Sequence, residues 1–339
     1  MKASLYGFFS RLAIAACLLA WTGCDVDSAM DYLEPQTPAS ISAQGNSANT
    51  DPTTGWSHTS VPAASIEQTA VPSVDGALNV YFFDVGQGDA TLLAGPNWTI
   101  VIDAGRHNRS DVVPLLQSAG VESIDLLIGT HPHADHIGQF PQILETFPVR
   151  EVWMCGESHT SRTFERALDA ILSSGAAYHE PRAGESFRMG SALIEVLHPV
   201  ELTGDLNESS IGIRVTFGQV SVVLTGDAEA PSERAMIQRG HNLSAQILRM
   251  GHHGSQTSST PEFLQAVRPE VAIYSAGQGN SYGHPHDVVL QRLTQMGIPV
   301  LGTDRHGTIR VQTDGVTYQV TTERGSFLAS TPGQPVLAR

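Results

Sequence analysis

Short, nearly continuous apolar runs bounded by Gly, Pro, Asp or His alternate along most of this chain with longer segments of helical period. The first run, Val80-Tyr81-Phe82-Phe83-Asp84-Val85, reads as a buried strand; Asp89 to Leu93 and Thr99 to Asp103 follow as two more, punctuated by Gly86, Gly88, Gly95 and Pro96. A helix is predicted from Asp111 to Ala119, stopped by Gly120. After it come a strand from Ile124 to Thr130, a strand-like run from Glu151 to Cys155, a helix from Phe164 to Ser173 stopped by Gly175, and a strand from Ala192 to Leu197. The second half repeats the logic. Ile211 to Phe217 and Val220 to Thr225 form a hairpin around Gly218-Gln219, and Ala230 to Gln238 form a helix closed by Gly240. Next are a strand from Ala245 to Met250, a helix opening at Thr260-Pro261, a strand from Val271 to Ser275, a helix from Pro285 to Met296, and closing strands to about Thr321. Two successive sets of strands and helices, each ending in His- or Asp-rich turns, predict two sheets packed face to face with helices outside, a four-layer α/β arrangement.

The two ends of the chain break this pattern. Lys2 and Arg11 are the only charges ahead of the apolar run Leu12 to Ala20, which is too short to span a bilayer and reads as an export signal. Leu19-Ala20-Trp21-Thr22-Gly23-Cys24 resembles a bacterial lipoprotein lipobox, with Trp21 departing from the small aliphatic residue expected there. Residues 1–24 are therefore expected to be a signal peptide ending at Cys24, whose acylation would anchor an exported protein to a membrane. Ordinary cleavage nearby, giving a freely secreted protein, is the alternative. Residues 25–76 are rich in Ser, Thr, Pro, Ala, Asn and Gln without a sustained period and are expected to be a disordered linker. Residues 77–325 are left as one domain and 326–339 as a flexible tail.

Composition narrows the function classes. With 339 residues and 41% hydrophobic content, the chain can bury one full catalytic core and still carry an unstructured arm. A formal net charge of −15 argues against a broad basic face that grips nucleic acid through its phosphates, although bound cations would reverse the local field at a nuclease site. Of the three cysteines, Cys17 would leave with the signal and Cys24 would carry lipid, so Cys155 has no expected partner and reads as a small buried hydrophobe.

The chemistry concentrates in Thr130-His131-Pro132-His133-Ala134-Asp135-His136-Ile137-Gly138, directly after an apolar run. His131 and His133 alternate on an extended backbone and can reach one cation, while Asp135 and His136 at the following turn can reach a second. Val222-Val223-Leu224-Thr225-Gly226-Asp227 delivers a carboxylate able to bridge the two, and Ile247-Leu248-Arg249-Met250-Gly251-His252-His253-Gly254-Ser255 delivers two imidazoles, one for a metal and one for the substrate. His198, at the end of Glu195-Val196-Leu197-His198-Pro199, can complete the first cation's shell as a third imidazole. Asp103 and Asp84 end strands of their own and are candidates to hydrogen-bond metal-bound histidines, or to be turn residues.

Phe83-Asp84-Val85-Gly86-Gln87-Gly88-Asp89-Ala90, the Thr130 to Gly138 segment, Thr225-Gly226-Asp227, Gly251-His252-His253-Gly254-Ser255 and Tyr282-Gly283-His284-Pro285-His286 occur in one order. In this the chain resembles the metallo-β-lactamase-fold hydrolases of the ComEC/Rec2 competence-protein type, from about Leu78 to Thr321. The resemblance implies an αββα sandwich with the metals at one edge. It also implies a first metal held by His131, His133 and His198 and a second by Asp135, His136 and His253, with Asp227 between them. Asn207, Ser209, Ser210, Tyr282 and His284 would lie near the site as phosphate contacts, and Ser255 beside the metal-bound groups or the substrate. Three departures stand out. After the signal there is no apolar stretch able to span a membrane, so the DNA channel of that family is not expected here; members often lack a His at the position of His198; and Gln139 stands where a second Gly is usual.

Two divalent cations, Zn2+ foremost with Mn2+ or Fe as alternatives, would lower the pKa of a shared water and supply a bridging hydroxide for in-line displacement. Asp135 would orient the nucleophile, and His252 or His284 would donate a hydrogen bond to the developing charge or protonate the leaving oxygen. The expected activity is that of an exported phosphodiesterase or nuclease acting on DNA, a nucleotide or an envelope polymer. The competing readings are a lactonase, thioesterase or β-lactam-type carbonyl hydrolase, and a catalytically silent surface module that uses the metals to bind a phosphate-bearing polymer.

Overall fold

The computed structural model describes Val74, residues 76–325 and the backbone of 327–330 and 337–338. Cys24, the expected export signal and the expected linker through residue 73 lie outside the described residues. The first part of the domain supplies strands β1 (Leu78–Phe82), β2 (Thr91–Ala94), β3 (Thr99–Ile102), β4 (Ile124–Gly129), β5 (Val149–Met154) and β6 (Ala177–His179), with helices α1 (Val112–Ser118), α2 (Phe140–Thr146) and α3 (Arg162–Ser174). The middle supplies β7 (Ser186–Met189), β8 (Ala192–His198), β9 (Gly212–Phe217), β10 (Val220–Leu224), β11 (Ile247–Arg249), β12 (Val271–Tyr274) and β13 (Val300–Gly302), with α4 (Ala230–Gln238), α5 (Pro261–Val267) and α6 (Asp287–Gln295). A short α7 (Thr303–His306) leads into β14 (Ile309–Thr313), β15 (Tyr318–Thr322), β16 (Phe327–Ser330) and β17 (Leu337–Ala338).

Among the described residues these strands form two sheets, one in the order β17-β16-β15-β14-β1-β2-β3-β4-β5-β6 and one in the order β13-β12-β11-β10-β9-β8-β7. The period of two along each strand decides the layers. Val80, Phe82, Leu126 and Ile128 of the first sheet and Ile194, Val196, Val222, Leu224 and Ile273 of the second share one cluster, so these faces pack on each other. The alternate residues point outward. Leu92, Val101, Leu127 and Val152 pack under Val112, Phe140, Ile143, Phe164 and Ile171 of α1, α2 and α3, while Val223, Leu248 and Ala272 pack under Met236, Phe263, Leu264, Val289 and Leu293 of α4, α5 and α6. Both faces of the central strands are therefore buried, which is why they read as continuous apolar runs. The result is the four-layer αββα sandwich expected from the sequence. Among the described residues no helix is long and apolar enough to cross a membrane.

Several short elements carry no sequence signal of their own. Helix α2 buries only Phe140 and Ile143, and β6 and β7 are short strands at the far edges of their sheets. The segment expected to fray beyond residue 325 contributes β16 and β17, which extend the first sheet antiparallel from β15. Strands β3, β4 and β5 run parallel to one another, as do β10, β11 and β12. The residues that follow their carboxyl ends, where open α/β sheets present ligand-binding groups, are Asp103, Thr130 to His136, Asp227, His252, His253 and Ser275.

Candidate metal centre

Each histidine-bearing turn is held rigidly before any cation is considered. In the turn after β4, the Ile137 and His136 amides both donate to the His133 carbonyl at 3.1 Å, and the chain passes so close to its neighbour that a Cβ on Gly138 would lie 2.1 Å from the His107 nitrogen. The turn after β10 meets the same constraint. Gly226 has φ +55°, and a Cβ there would stand 2.8 Å from Thr130 Cβ, so only glycine lets the Asp227 turn approach the His131 turn. Arg249, buried at the end of β11, donates from Nη1 to the carbonyls of Gly226 (2.7 Å) and Met250 (2.8 Å) and pairs through Nη2 with Asp89 at 2.5 Å. His252 and His253 both adopt positive φ (46° and 55°), which turns both imidazoles towards Asp227.

Four imidazole Nε2 atoms converge on one oxygen, Asp227 Oδ2: His136 at 3.2 Å, His253 at 3.5 Å, and His131 and His252 at 3.8 Å. The opposite ring nitrogen of each is tied to an acceptor. His136 Nδ1 donates to Asp103 Oδ2 at 2.8 Å, His253 Nδ1 to the Ser275 carbonyl at 2.9 Å, and His252 Nδ1 to Glu229 Oε1 at 2.9 Å. Thr130 Oγ1 gives its proton to Asp103, so its 3.1 Å contact with His131 Nδ1 requires the imidazole to donate. With each Nδ1 committed to the group behind its ring, Nε2 is the atom turned towards Asp227, the one that metal ligation would use. His133 is half-buried, with Nδ1 2.9 Å from His131 Nε2, and Asp135 Oδ2 lies 3.6 Å from His253 Nε2.

These groups fit cations. His136 Nε2, His253 Nε2 and Asp227 Oδ1 are buried without a hydrogen-bond partner, a costly state for polar atoms that a shared ion would relieve. Ligands about 2.1 Å from one tetrahedral cation stand about 3.4 Å apart, close to the 3.2 to 3.8 Å separations here. Two sets of atoms lie mutually within 4.8 Å, His131 with His136 and Asp227, and Asp135 with His136 and His253. A third set, Asp89, Asp103 and His136, is already engaged by Arg249, Thr130 and Ser275.

Protonation follows the same geometry. Burial, reinforced by the His136 charge, holds His131 well below the ordinary imidazole range, and burial lowers His133 as well. Burial would raise Asp227 and Asp135, but the surrounding histidines outweigh it and both carboxyls stay ionised. Burial would likewise lower His136, yet Asp227 and Asp103 on its two sides raise it well above the ordinary range. The cation-free protein therefore carries a proton on His136 at neutral pH, and a metal must displace it. Metal uptake at pH 7 is expected to release about one proton from this residue, with affinity rising as pH rises. Calorimetric titration in buffers of different ionisation enthalpy measures it, and uptake without proton release would contradict the assignment of His136 as a ligand.

Not every expected residue joins this cluster. His198 faces away: its Nε2 donates to the Glu208 carbonyl at 2.6 Å, and it belongs to neither ligand set. Asp84 pairs with Arg324 at 2.5 Å and caps its own turn at Gly86, so it acts as a turn residue. Ser255 contacts Thr257 at 2.9 Å within the turn that follows the histidine pair. Ser210 accepts from the Asp227 amide at 3.1 Å, Ser209 donates to Glu157 at 2.7 Å, and Asn207 Nδ2 reaches Glu229 at 3.4 Å, so this segment braces the site rather than lining it. His284 stacks beside His253 at 6.0 Å and Tyr282 beside His284 at 5.7 Å. Partial burial, with His253 and His252 adjacent, holds His284 down to about 4, so it is neutral at pH 7 and unsuited to protonate a leaving group there. Gln139 has a structural explanation. Its amide donates to Asp111 at 2.8 Å and accepts from the Val112 amide at 3.0 Å, satisfying the start of α1 where no other side chain does. The sequence reasoning missed Glu229, Asp89 and Arg249; the signal for the last two was an acidic and a basic residue placed inside otherwise apolar strand ends.

Comparison with known proteins follows this geometry. The model of the Metallo-beta-lactamase superfamily matches residues 83–278. Among curated proteins, the chain is 32% identical over 259 residues to ComE operon protein 3 of Bacillus subtilis (strain 168), covering 70% of this chain and 33% of that protein. It is 32% identical over 250 residues to Competence protein ComA of Neisseria gonorrhoeae, covering 73% and 33%, and 33% identical over 234 residues to Recombination protein 2 of Haemophilus influenzae, covering 67% and 28%. The chain thus spans about a third of the length of the curated relatives it matches.

Proposed function

Because the chain belongs to the metallo-beta-lactamase superfamily, in its ComEC/Rec2-type branch, we propose that it is an exported phosphodiesterase that works with two divalent cations, Zn2+ before Mn2+ or Fe. The observation that carries this reading is the convergence of imidazole Nε2 atoms on Asp227, each ring fixed by an acceptor behind it. His131, His133, His136, His253, Asp135 and Asp227 would hold the ions, which when bound supply Lewis-acid stabilisation and a nucleophile ionised at neutral pH. Asp135, kept ionised against His253, is placed to orient the attacking group. His252, braced by Glu229 and 23% exposed, turns its Nε2 towards Asp227 at the rim, where it would face the substrate. Relatives named for competence and recombination favour a nucleic-acid phosphodiester over a carbonyl substrate. The apolar run Leu12 to Ala20 and Cys24 support export and lipid anchoring.

The test is a side-by-side panel. The full-length protein, its metal content counted, is offered bis-nitrophenyl phosphate, single- and double-stranded DNA, and nitrocefin. Turnover of the phosphodiesters is the expected result. Hydrolysis of nitrocefin alone would replace this reading by the carbonyl-hydrolase one, and two bound metals without any turnover would replace it by the binding module.

A further inference from the structure

Tyr282 is the exposed end of a ladder of rings that starts at the metal centre. His284 lies 6.0 Å from His253 at an interplanar angle of 26°, and Tyr282 lies 5.7 Å from His284 at 23°, so three rings stack nearly parallel from a metal-facing imidazole outward. The tyrosine is 56% exposed and belongs to none of the three apolar clusters. Core packing therefore does not account for its aromatic ring.

The loop nevertheless fixes the backbone that carries that ring. Asn280 Oδ1 accepts from the amides of Tyr282 and His284, both at 3.1 Å, and its Nδ2 donates to the carbonyls of Gly277 (2.9 Å) and His284 (2.5 Å). Further on, His286 is tied to the histidine turn by its amide, which donates to the Gly254 carbonyl at 3.0 Å, and by its Nδ1, which accepts from the Gln256 amide at 3.0 Å. The loop is thus clamped to the turn that carries His252 and His253. An aromatic ring on a fixed backbone, stacked on its neighbour, loses less entropy when a planar group settles on it than one on a free loop.

The charge of the chain says which planar group. Lys2 is its only lysine and the formal net charge is −15, so a polyanion gains little general electrostatic attraction beyond the metal centre. Proteins that bind single strands add affinity by stacking bases on aromatic side chains, a contact open to every base because each has a π-face. We propose that Tyr282 is a stacking platform for an unpaired nucleobase beside the scissile phosphodiester, so that single-stranded ends are preferred over duplex. In a duplex both faces of each internal base are already stacked, and using the platform would require unstacking. This inference rests on the phosphodiesterase reading.

The experiment compares a mixed-sequence single-stranded oligonucleotide with the same oligonucleotide made abasic around the cleaved bond, using full-length wild type, Tyr282→Ala and Tyr282→Trp. Tyr282→Ala is expected to raise KM on the intact strand about tenfold with kcat little changed, while Tyr282→Trp keeps KM and the abasic strand shows no such penalty. A KM unmoved by Tyr282→Ala, or an abasic strand cleaved as well as the intact one, overturns the platform while leaving the hydrolase in place. Quenching of the Tyr282→Trp fluorescence by oligothymidylate, and not by its abasic analogue, reads the platform without turnover. Base-dependent quenching in a protein that hydrolyses no phosphodiester would uphold the platform and overturn the hydrolase.

Discussion

Asp227→Ala is expected to lower hydrolysis of a phosphodiester by three orders of magnitude or more, equivalent to a loss of about 4 kcal/mol of transition-state stabilisation, and to reduce bound metal below two per chain. The size of the effect follows from position. One oxygen of this carboxylate is the point on which His131, His136, His252 and His253 converge, so with His136 it faces ligand atoms of both sets. Its charge also balances the imidazoles. Without it His136 loses the larger of its two flanking carboxylate influences, and the tendency of that imidazole to hold a proton weakens. Asp227→Asn separates charge from shape, keeping the volume and the backbone bond to Ser210 while removing the anion. Both variants are expected to fall together if the position supplies a charged ligand rather than packing. Metal counting and steady-state rates on the same preparations decide the matter: an Asp227→Ala protein that keeps two metals and wild-type turnover would sink the dinuclear reading.

Much of this architecture is legible in the sequence because burial on both faces leaves a mark. Val222, Val223 and Leu224 are apolar in succession since Val222 and Leu224 face the other sheet while Val223 faces α4, α5 and α6, and the run stops where Asp227 emerges at the rim. The same rule exposes Ile124 to Thr130 ahead of the histidine cluster. It fails where an element is short or half-covered. Helix α2 has two buried residues, and β6 pairs only at one edge, so neither builds a period that can be read. His198 shows a different limit. It ends a strand beside the site, as a ligand should, but whether its ring turns inward depends on the Glu208 carbonyl, which sits there only because the intervening loop folds back. Asp84 and Asp89 make the same point within one loop: five residues apart, one pairs with Arg324 at the surface while the other is buried against Arg249. Side-chain direction at the end of a strand is set by what crosses over it, and that is a tertiary fact.

Arg249→Met is the second change with a large expected effect, and it separates fold from metal. The guanidinium, 1% exposed, spans from β11 of the second sheet to Asp89 just ahead of β2 in the first, while Asp89 also accepts from Ser275 Oγ at 3.0 Å. Removing it leaves the buried Asp89 carboxylate without its counter-charge and takes a hydrogen bond from each of two carbonyls, those of Gly226 and Met250, for a loss of about 3–5 kcal/mol in unfolding free energy. The urea midpoint should fall accordingly. Adding Asp89→Asn removes the uncompensated charge, so the double variant is expected to recover a large part of that stability. Metal binding should not recover with it. The Gly226 carbonyl then keeps only the longer 3.2 Å bond from the His252 amide, and the turn that aims Asp227 into the four imidazoles is freer to relax away from Thr130. If the double variant regains both stability and two metals, Arg249 serves only to neutralise Asp89; if stability returns without the metals, the arginine is a positioning residue for Asp227, tying the two sheets together at the place where their ligands must meet.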